Sequence, residues 1–361
     1  MLALSFFDSA FMNTVYFAVP GNLNTLTGGY GYDRRLIEEL RRLGCPIKVL
    51  TLAASFPNPD AAALTDADAQ LSALPEQAVV VVDGLAYGAM EEIAEKQARR
   101  LCLIALCHHQ LMLETGLAPA LVRQREQSER RALQVAAAVV VTSPATARSL
   151  TELFEIPQSH ISVALPGTDP QPYAPCNGSP PVLLTVATLT PRKAHDVLID
   201  ALASLTDLPW QARWVGGTHF DPDWVRQLQQ KVRDSNLEER IAWVGEITDP
   251  ASEYAGADLF VLPSHYEGYG MVFAEALSFG LPVVGTQAGA IPGVVPPGAG
   301  ILVPPGDAAV LAVTLRQLLV DVDLRARLQQ GARDSARQLP RWHDAANTVI
   351  ALIKRLRLSS P

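Results

Sequence analysis

The feature that most constrains this chain is its alternation of short apolar runs with amphipathic stretches of helical length. Val79-Val80-Val81-Val82-Asp83, Leu101 to Leu106, Val182 to Val186 and Asp258 to Leu262 are each almost wholly apolar. Runs of that length read as strands buried on both faces, the pattern of a parallel sheet covered by helices. Further strands are read at 14–19, 47–51, 137–142, 161–163, 211–216, 240–244, 282–286 and 300–303. Between them, a helix is expected from about 30 to 43, closed by Gly44, and a long one over roughly 118–135. Another is opened by Ser143 as cap with Pro144 at its first position. The fold class is therefore α/β with parallel sheets.

At 361 residues the chain is long enough for two domains, each with its own core. The richest proline segment, from Pro166 through Pro180-Pro181, marks the boundary. The reading is a first domain over 1–168, a Pro-rich linker over 169–181, a second domain over 182–342 and a terminal segment over 343–361. Residues 1–11 are apolar but carry Asp8 and lack a basic start and a cleavage site, so they make a poor signal peptide. They read as a loose extension, or else Met12 is the natural start.

Composition excludes several classes. A content of 48% hydrophobic residues is that of a globular chain, and a net charge of −8 argues against a general nucleic-acid binder. Cys45, Cys102, Cys107 and Cys176 show no metal-ligand spacing, so reduced thiols in a cytoplasmic protein are expected. No stretch is long and apolar enough to span a membrane. Arg123, Arg125, Arg130 and Arg131 make one helix locally basic, which leaves peripheral contact with the inner face of a membrane open. Glu126 and Glu129 interleave with them, so a solvated face is the better reading.

Ligands of open α/β sheets bind at the carboxyl ends of strands, and the chemistry-bearing residues fall there. Glu267 and Glu275 lie eight apart, the first on a loop after the strand at 258–262, the second a turn and a half into a helix that begins near Gly270. Gly268 and Gly270 allow close approach of a ligand, and the amides of Tyr269, Gly270, Met271 and Val272 open a helix N-terminus that favours anions. Two acceptors flanking an anion site suit a ligand with hydroxyls on both sides of a phosphate, the layout of a nucleotide-diphospho-sugar. Standing alone, such glutamates are more often a solvated loop acid and an acid that complements a helix dipole.

The stretch from Ser264 to Leu277 resembles the E-x7-E signature of retaining glycosyltransferases of family 4. The likeness continues through Gly280-Leu281-Pro282-Val283-Val284 and Gly289-Ala290-Ile291-Pro292 to Gly300-Ile301-Leu302-Val303-Pro304-Pro305-Gly306-Asp307. The resemblance implies the GT-B fold: two facing Rossmann-like domains with an interdomain cleft, the last helix (about Ala345 to Leu358) crossing back to the first domain. It implies that Glu275 binds ribose hydroxyls and Glu267 hydroxyls of the sugar. The segment Thr185 to Asp196 is similar to the family's G-R-L-x-x-x-K-G element, with Lys193 as the lysine that neutralises the donor diphosphate. Thr188 stands where the family has arginine, and Ala187 and Ala194 where it has glycine. Arg192 is nearby, but its register points it elsewhere. In isolation Lys193 reads as a solvated lysine before a helix.

Other positions follow from the same likeness. Gly28 and Gly29, in a glycine-bearing turn after the first strand, match a loop beside the diphosphate; Gly29-Tyr30-Gly31 followed by Arg34 fails the dinucleotide fingerprint. His108, with His109 second, matches a histidine that contacts the transferred sugar, and neither has metal-ligand neighbours in the sequence. Gly216, at a strand end, and Glu246, within the Gly245–Ile247 stretch where the base would be read, complete the expected donor site. Asp66/Asp68, Asp221/Asp223 and Asp321/Asp323 do not end apolar strands and read as surface residues, so no metal or other cofactor is expected.

The sequence thus points to a retaining glycosyltransferase moving a hexosyl unit from a UDP- or GDP-sugar to an unidentified hydroxyl acceptor. The rivals are a nucleotide-sugar epimerase or hydrolase on the same fold and a catalytically weak sugar-nucleotide-binding subunit.

Overall fold

The computed structural model describes residues 14–359; the reading of residues 1–11 as an extension and of Met12 as a start lies outside them. Contacts divide the chain into two units. Of the described residues, the first holds 14–25, Gly29–Gly167 and 342–359, and the second holds Leu26–Gly28 and Thr168–Arg341.

The first unit runs β1 (Val15–Pro20), α1 (Gly28–Arg42), β2 (Ile47–Leu52), α2 (Ala61–Ser72), β3 (Val79–Asp83), α3 (Gly84–Tyr87) and α4 (Glu91–Gln97). It continues with β4 (Cys102–Cys107), α5 (Pro119–Gln134), β5 (Ala138–Val141), α6 (Pro144–Phe154) and β6 (Ile161–Val163). The strands form one parallel sheet in the order β2-β1-β3-β4-β5-β6. Val79 to Val82 are all but unexposed, as a central strand covered on both faces must be. Ser143 caps α6 by accepting from the Thr146 amide, with Pro144 at the first helical position. α1 starts earlier than the sequence pattern predicts. Gly28 and Gly29 are its first residues rather than part of a loop.

The second unit runs β7 (Val182–Val186), α7 (His195–Ala203), β8 (Gln211–Val215), α8 (Pro222–Asp234), β9 (Ile241–Gly245) and α9 (Ala251–Ala255). β10 (Leu259–Val261), α10 (Met271–Ser278), β11 (Val283–Thr286), α11 (Ile291–Val294), β12 (Gly300–Val303), α12 (Ala308–Val320) and α13 (Val322–Ala336) follow. Its parallel sheet has the order β12-β11-β10-β7-β8-β9. Asp221 and Asp321 turn out to be helix caps, accepting from the amides of Trp224 and Leu324, and Asp68 pairs with Lys96 and Gln97. The proline-rich stretch packs on this unit: the Ala174 amide donates to Phe279 O at 2.7 Å and the Tyr173 hydroxyl to Arg333 O at 3.1 Å.

The last helix, α14 (Trp342–Ser359), belongs to the first unit. Trp342 packs on Tyr32 with ring centroids 5.6 Å apart, and Gly167 lies so close that a Cβ there would stand 2.1 Å from the Trp342 amide nitrogen. Among the described residues no helix is long and apolar enough to cross a membrane.

Strand order sets where ligands can bind. In the second unit the chain winds outward from β7 through β8 and β9, then returns to pair β10 with the other side of β7. In the first unit β1 pairs both β2 and β3. Each reversal is a topological switch point, where loops at adjacent strand ends diverge and leave a crevice.

Candidate active site

The switch point of the second unit brings together loops far apart in sequence. After β7, Pro191–Lys193 form a single 3-10 turn closed by Ala194 in the left-handed region at φ 53°. After β10 comes the loop that carries Ser264 and Glu267. Lys193 Nζ lies 2.6 Å from Glu267 Oε1, Arg192 Nη1 lies 3.3 Å from Oε2, and the Ser264 hydroxyl donates to Oε1 at 2.7 Å. Ser264 is held in turn, its carbonyl accepting from Thr286 Oγ1 at 2.6 Å. Arg192 also donates to Tyr266 O at 3.0 Å, and the His265 amide donates to Arg192 O at 2.8 Å, so the two loops are laced together.

This corrects the expectation that Arg192 points elsewhere. Side chains leave a 3-10 turn about 120° apart rather than on opposite faces, and both Arg192 and Lys193 reach the same carboxylate. Glu267 is only 6% exposed. Burial works against its charge, but Lys193 first and Arg192 next overcome it, with hydrogen bonds from Lys193 and Ser264, and the carboxyl is held down at about 2. Glu267 and Lys193 are thus an ion pair whose carboxylate is buried and whose lysine is half-buried. Truncating either to alanine leaves its partner's charge with less compensation, so the fold is not indifferent to such changes.

Glu267 is also fixed through its backbone. The Ala290 amide donates to Glu267 O at 2.9 Å, and Gly289, at φ 56°, lies against the same peptide. Gly268, Tyr269 and Gly270 lead into α10, with Gly270 as its cap; Met271 and Val272 form the first turn, and the Phe273 amide donates to Gly270 O at 3.0 Å. Glu275 follows on α10 and accepts from the buried Tyr254 hydroxyl at 2.8 Å. Burial raises its pKa, which the Tyr254 hydrogen bond partly offsets.

The remaining donor-site positions of this unit diverge. Thr188 sits on the same loop as Lys193, its carbonyl accepting from the Thr190 amide at 3.0 Å. Gly216 ends β8 in close packing: its amide donates to Gly245 O at 2.9 Å, and a Cβ there would stand 1.8 Å from Ala187 O. Its amide is therefore already engaged, and the glycine is required by the approach of two strand ends. Glu246 is exposed, 3.8 Å from His219 Nδ1.

In the first unit the switch point assembles a cluster the sequence reading did not foresee. His108, after β4, places Nε2 3.1 Å from Asp33 Oδ1 on α1 and 3.4 Å from Asp83 Oδ2 at the end of β3. Both aspartates are buried, and Asp83 also caps α3 through the Leu85 amide at 2.8 Å. Gly29 lies beside the imidazole, where a Cβ would stand 3.5 Å from Cδ2, and Tyr32 meets it edge-on at 5.3 Å. Ligand atoms of Asp33, Asp83 and His108 lie within 4.8 Å of one another, a spacing at which a cation could be held. His109 instead lies 3.6 Å from Glu114. Spacing in the sequence could not show the cluster because its members come from one helix and two strand ends, although an aspartate closing an all-valine strand was a usable signal.

On α5, Arg123 and Arg131 are exposed, and one member of the expected solvated face departs from it. Glu129 is buried and accepts from the Leu111 amide at 2.8 Å, while Arg130 pairs with Glu126 and Arg131 with Glu95. All four cysteines are free.

Two Rossmann-type sheets, the second with a buried glutamate and a half-buried lysine at its switch point and a helix N-terminus beside them, are those of the GT-B fold. Residues 174–335 match the family model of the group 1 glycosyl transferases. It is 29% identical over 237 residues to mannosylfructose-phosphate synthase of Agrobacterium fabrum, covering 60% of this chain and 52% of that protein. It is 32% identical over 235 residues to D-inositol 3-phosphate glycosyltransferase of Thermobispora bispora, covering 59% and 55%. The chain thus spans little more than half the length of these curated relatives. Among solved structures it resembles sucrose-phosphate synthase of Thermosynechococcus elongatus, with a TM-score of 0.81, 22% identity and coverage of 96% and 100%. Anabaena HepE in complex with UDP-glucose follows with a TM-score of 0.74, 20% identity and coverage of 95% and 99%.

Proposed function

We propose that the protein is a retaining glycosyltransferase that moves a hexosyl unit from a nucleotide-diphospho-sugar, a UDP- or GDP-sugar, to a hydroxyl acceptor. The observation that carries this reading is the Lys193–Glu267 pair beside the N-terminus of α10. The amides of Met271 and Val272 and the helix dipole favour a diphosphate. Lys193, drawn from Glu267 toward that diphosphate, stabilises the charge that grows on it as the glycosidic bond breaks. Glu267 then accepts hydrogen bonds from sugar hydroxyls, and Glu275 from ribose hydroxyls. Arg192, on the same turn as Lys193, supplies guanidinium charge to this loop although Thr188 does not. Transfer proceeds without a metal ion, with the departing phosphate helping to deprotonate the acceptor on the same face.

The test is calorimetric titration of the intact chain with UDP-, GDP- and ADP-sugars, then incubation of the best donor with an acceptor panel. That panel includes phosphorylated sugars and polyols, since the names of several relatives carry a phosphate. Binding of one donor, transfer with the anomeric configuration kept, and undiminished rate in EDTA support the proposal. A folded protein that binds none of the donors sinks it, and donor breakdown without an acceptor would favour a hydrolase.

A further inference from the structure

We propose that the first unit carries a binding cleft for a neutral oligosaccharide, formed between α2, α4 and α5. Its lining includes none of Asp33, Asp83 and His108. Binding of the glycan stands by itself; its use as part of the acceptor, held by rings beyond the one that reacts, rests on the proposed function.

The cleft encloses about 860 Å³, within the range of about 300–1,000 Å³ usual for small-molecule sites. The segments that follow β2, β3 and β4 contribute to its walls at Asn58, Gly88 and Leu111. One face of α5 holds all three. Arg125 Nη2 donates to Asn58 Oδ1 at 3.1 Å, Ser128 Oγ lies 2.6 Å from Gly88 O, and Arg125 Nη1 donates to Leu111 O at 3.3 Å. Gly88 is packed so closely that a Cβ there would stand 2.8 Å from Leu111 Cδ1 and 3.1 Å from Glu129 Cγ. Walls fixed in this way need little ordering when a ligand enters, which lowers the cost of binding.

The lining chemistry selects the ligand. Leu64, Ile93 and Leu121 supply apolar surface, and Asn58, Thr65 and Gln124 supply amides and a hydroxyl. The charged residues of the lining are three acids, Asp68, Glu91 and Glu92, and two bases, Lys96 and Arg125, so a phosphate meets no surplus of positive charge. Asp68 is already engaged by Lys96 at 2.5 Å, and Glu91 by Ser128 Oγ at 2.6 Å and by Arg131 at 3.5 Å. A long alkyl chain would strip water from the amides and charges without replacing their hydrogen bonds. A pyranose ring presents apolar C–H faces and a rim of hydroxyls that donate and accept, so it meets both kinds of surface. Arg125 lines the cleft, and its buried Nε–H has no acceptor among the described residues; a sugar oxygen would supply one. The volume exceeds that of a single hexose ring, which makes an oligosaccharide the better fit than a monosaccharide.

The experiment is calorimetric titration of the intact chain, without nucleotide-sugar, with maltotriose, mannotriose, cellotriose and triacetylchitotriose, alongside inorganic phosphate and glucose 6-phosphate. At least one trisaccharide should bind with a dissociation constant of about 1 mM or tighter. Thr65→Trp and Gln124→Trp place a bulky ring in the cleft from exposed positions on α2 and α5, with circular dichroism confirming that both variants fold. Each should weaken trisaccharide binding roughly tenfold or more. A wild type that binds no trisaccharide at that level overturns the proposal, and so does binding undiminished in both variants. Phosphate or glucose 6-phosphate bound more tightly than every trisaccharide, and lost in the variants, overturns it in favour of an anion site. The titration needs no nucleotide-sugar, so failure of the glycosyltransferase reading leaves the glycan site standing, and its own failure leaves donor binding by the second unit untouched.

Discussion

Gly289 lies flat against the peptide of Glu267: a Cβ at position 289 would stand 2.2 Å from the Glu267 carbonyl oxygen and 3.0 Å from its amide nitrogen. Both atoms are backbone and cannot swing aside. The position also needs φ 56°, a region that costs a residue with a side chain about 1–3 kcal/mol. Gly289→Ala should therefore lower the unfolding free energy of the second unit by at least that much and displace Glu267, reducing donor affinity in calorimetry. Unchanged stability and affinity would show that this contact does not hold the loop.

Lys193 and Glu267 should prove coupled rather than independent. Lys193→Ala is expected to cut transfer by roughly 100-fold or more, as loss of a group that stabilises a leaving anion does. It should also destabilise the second unit, since Glu267 keeps only Arg192 and Ser264. Adding Glu267→Gln to Lys193→Ala should recover part of that stability, with a coupling energy of about 1–3 kcal/mol in a double-mutant cycle. Strict additivity would mean the pair is not an ion pair in solution.

The two units should answer to pH in opposite directions. The Glu267 carboxyl is held down at about 2 from an ordinary value of 4.5, so its stabilisation is full above pH 4.5 and is lost as pH falls toward 2. His108 is raised from 6.5 to about 10, so its contribution is full below pH 6.5 and is lost as pH rises through 10. Asp33, raised to about 7 by burial and by Asp83, adds a further loss between pH 3.8 and 7. Denaturation followed separately through each unit should show the second unit failing at the acid end and the first at the alkaline end. Glu267→Gln should flatten the acid limb, and Asp33→Asn the alkaline one.

Tyr254 should matter through its hydroxyl alone. Its ring is buried, stacked on Phe279 at 5.2 Å, and Tyr254→Phe keeps that packing while removing the hydrogen bond to Glu275. Glu275 would then be harder to ionise, and donor affinity should fall roughly tenfold, about 1.4 kcal/mol, with little change in melting temperature. An equal loss in both would make Tyr254 a structural residue only.

Much of this was legible from the order of residues. The strands at 79–83 and 182–186 fall where the apolar runs place them, because burial on both faces writes itself into a continuous apolar run, and Glu267 and Lys193 lie on loops after strand ends as expected. Helices α2, α4 and α13 were not foreseen; α2, for one, is alanine-rich with little contrast between its faces.

Period and local motif depend only on neighbours along the chain, and they specify the class of fold, the positions of the strand ends and the Glu267 and Lys193 loops. Which loops meet is settled in three dimensions. The pairing of β7 with β10 brings Arg192 and Lys193 to Glu267, and the neighbouring of β1, β3 and β4 gathers Asp33, Asp83 and His108. Strand order is settled by packing across a sheet, and a buried charge finds its partner in space, where separation in sequence carries no information.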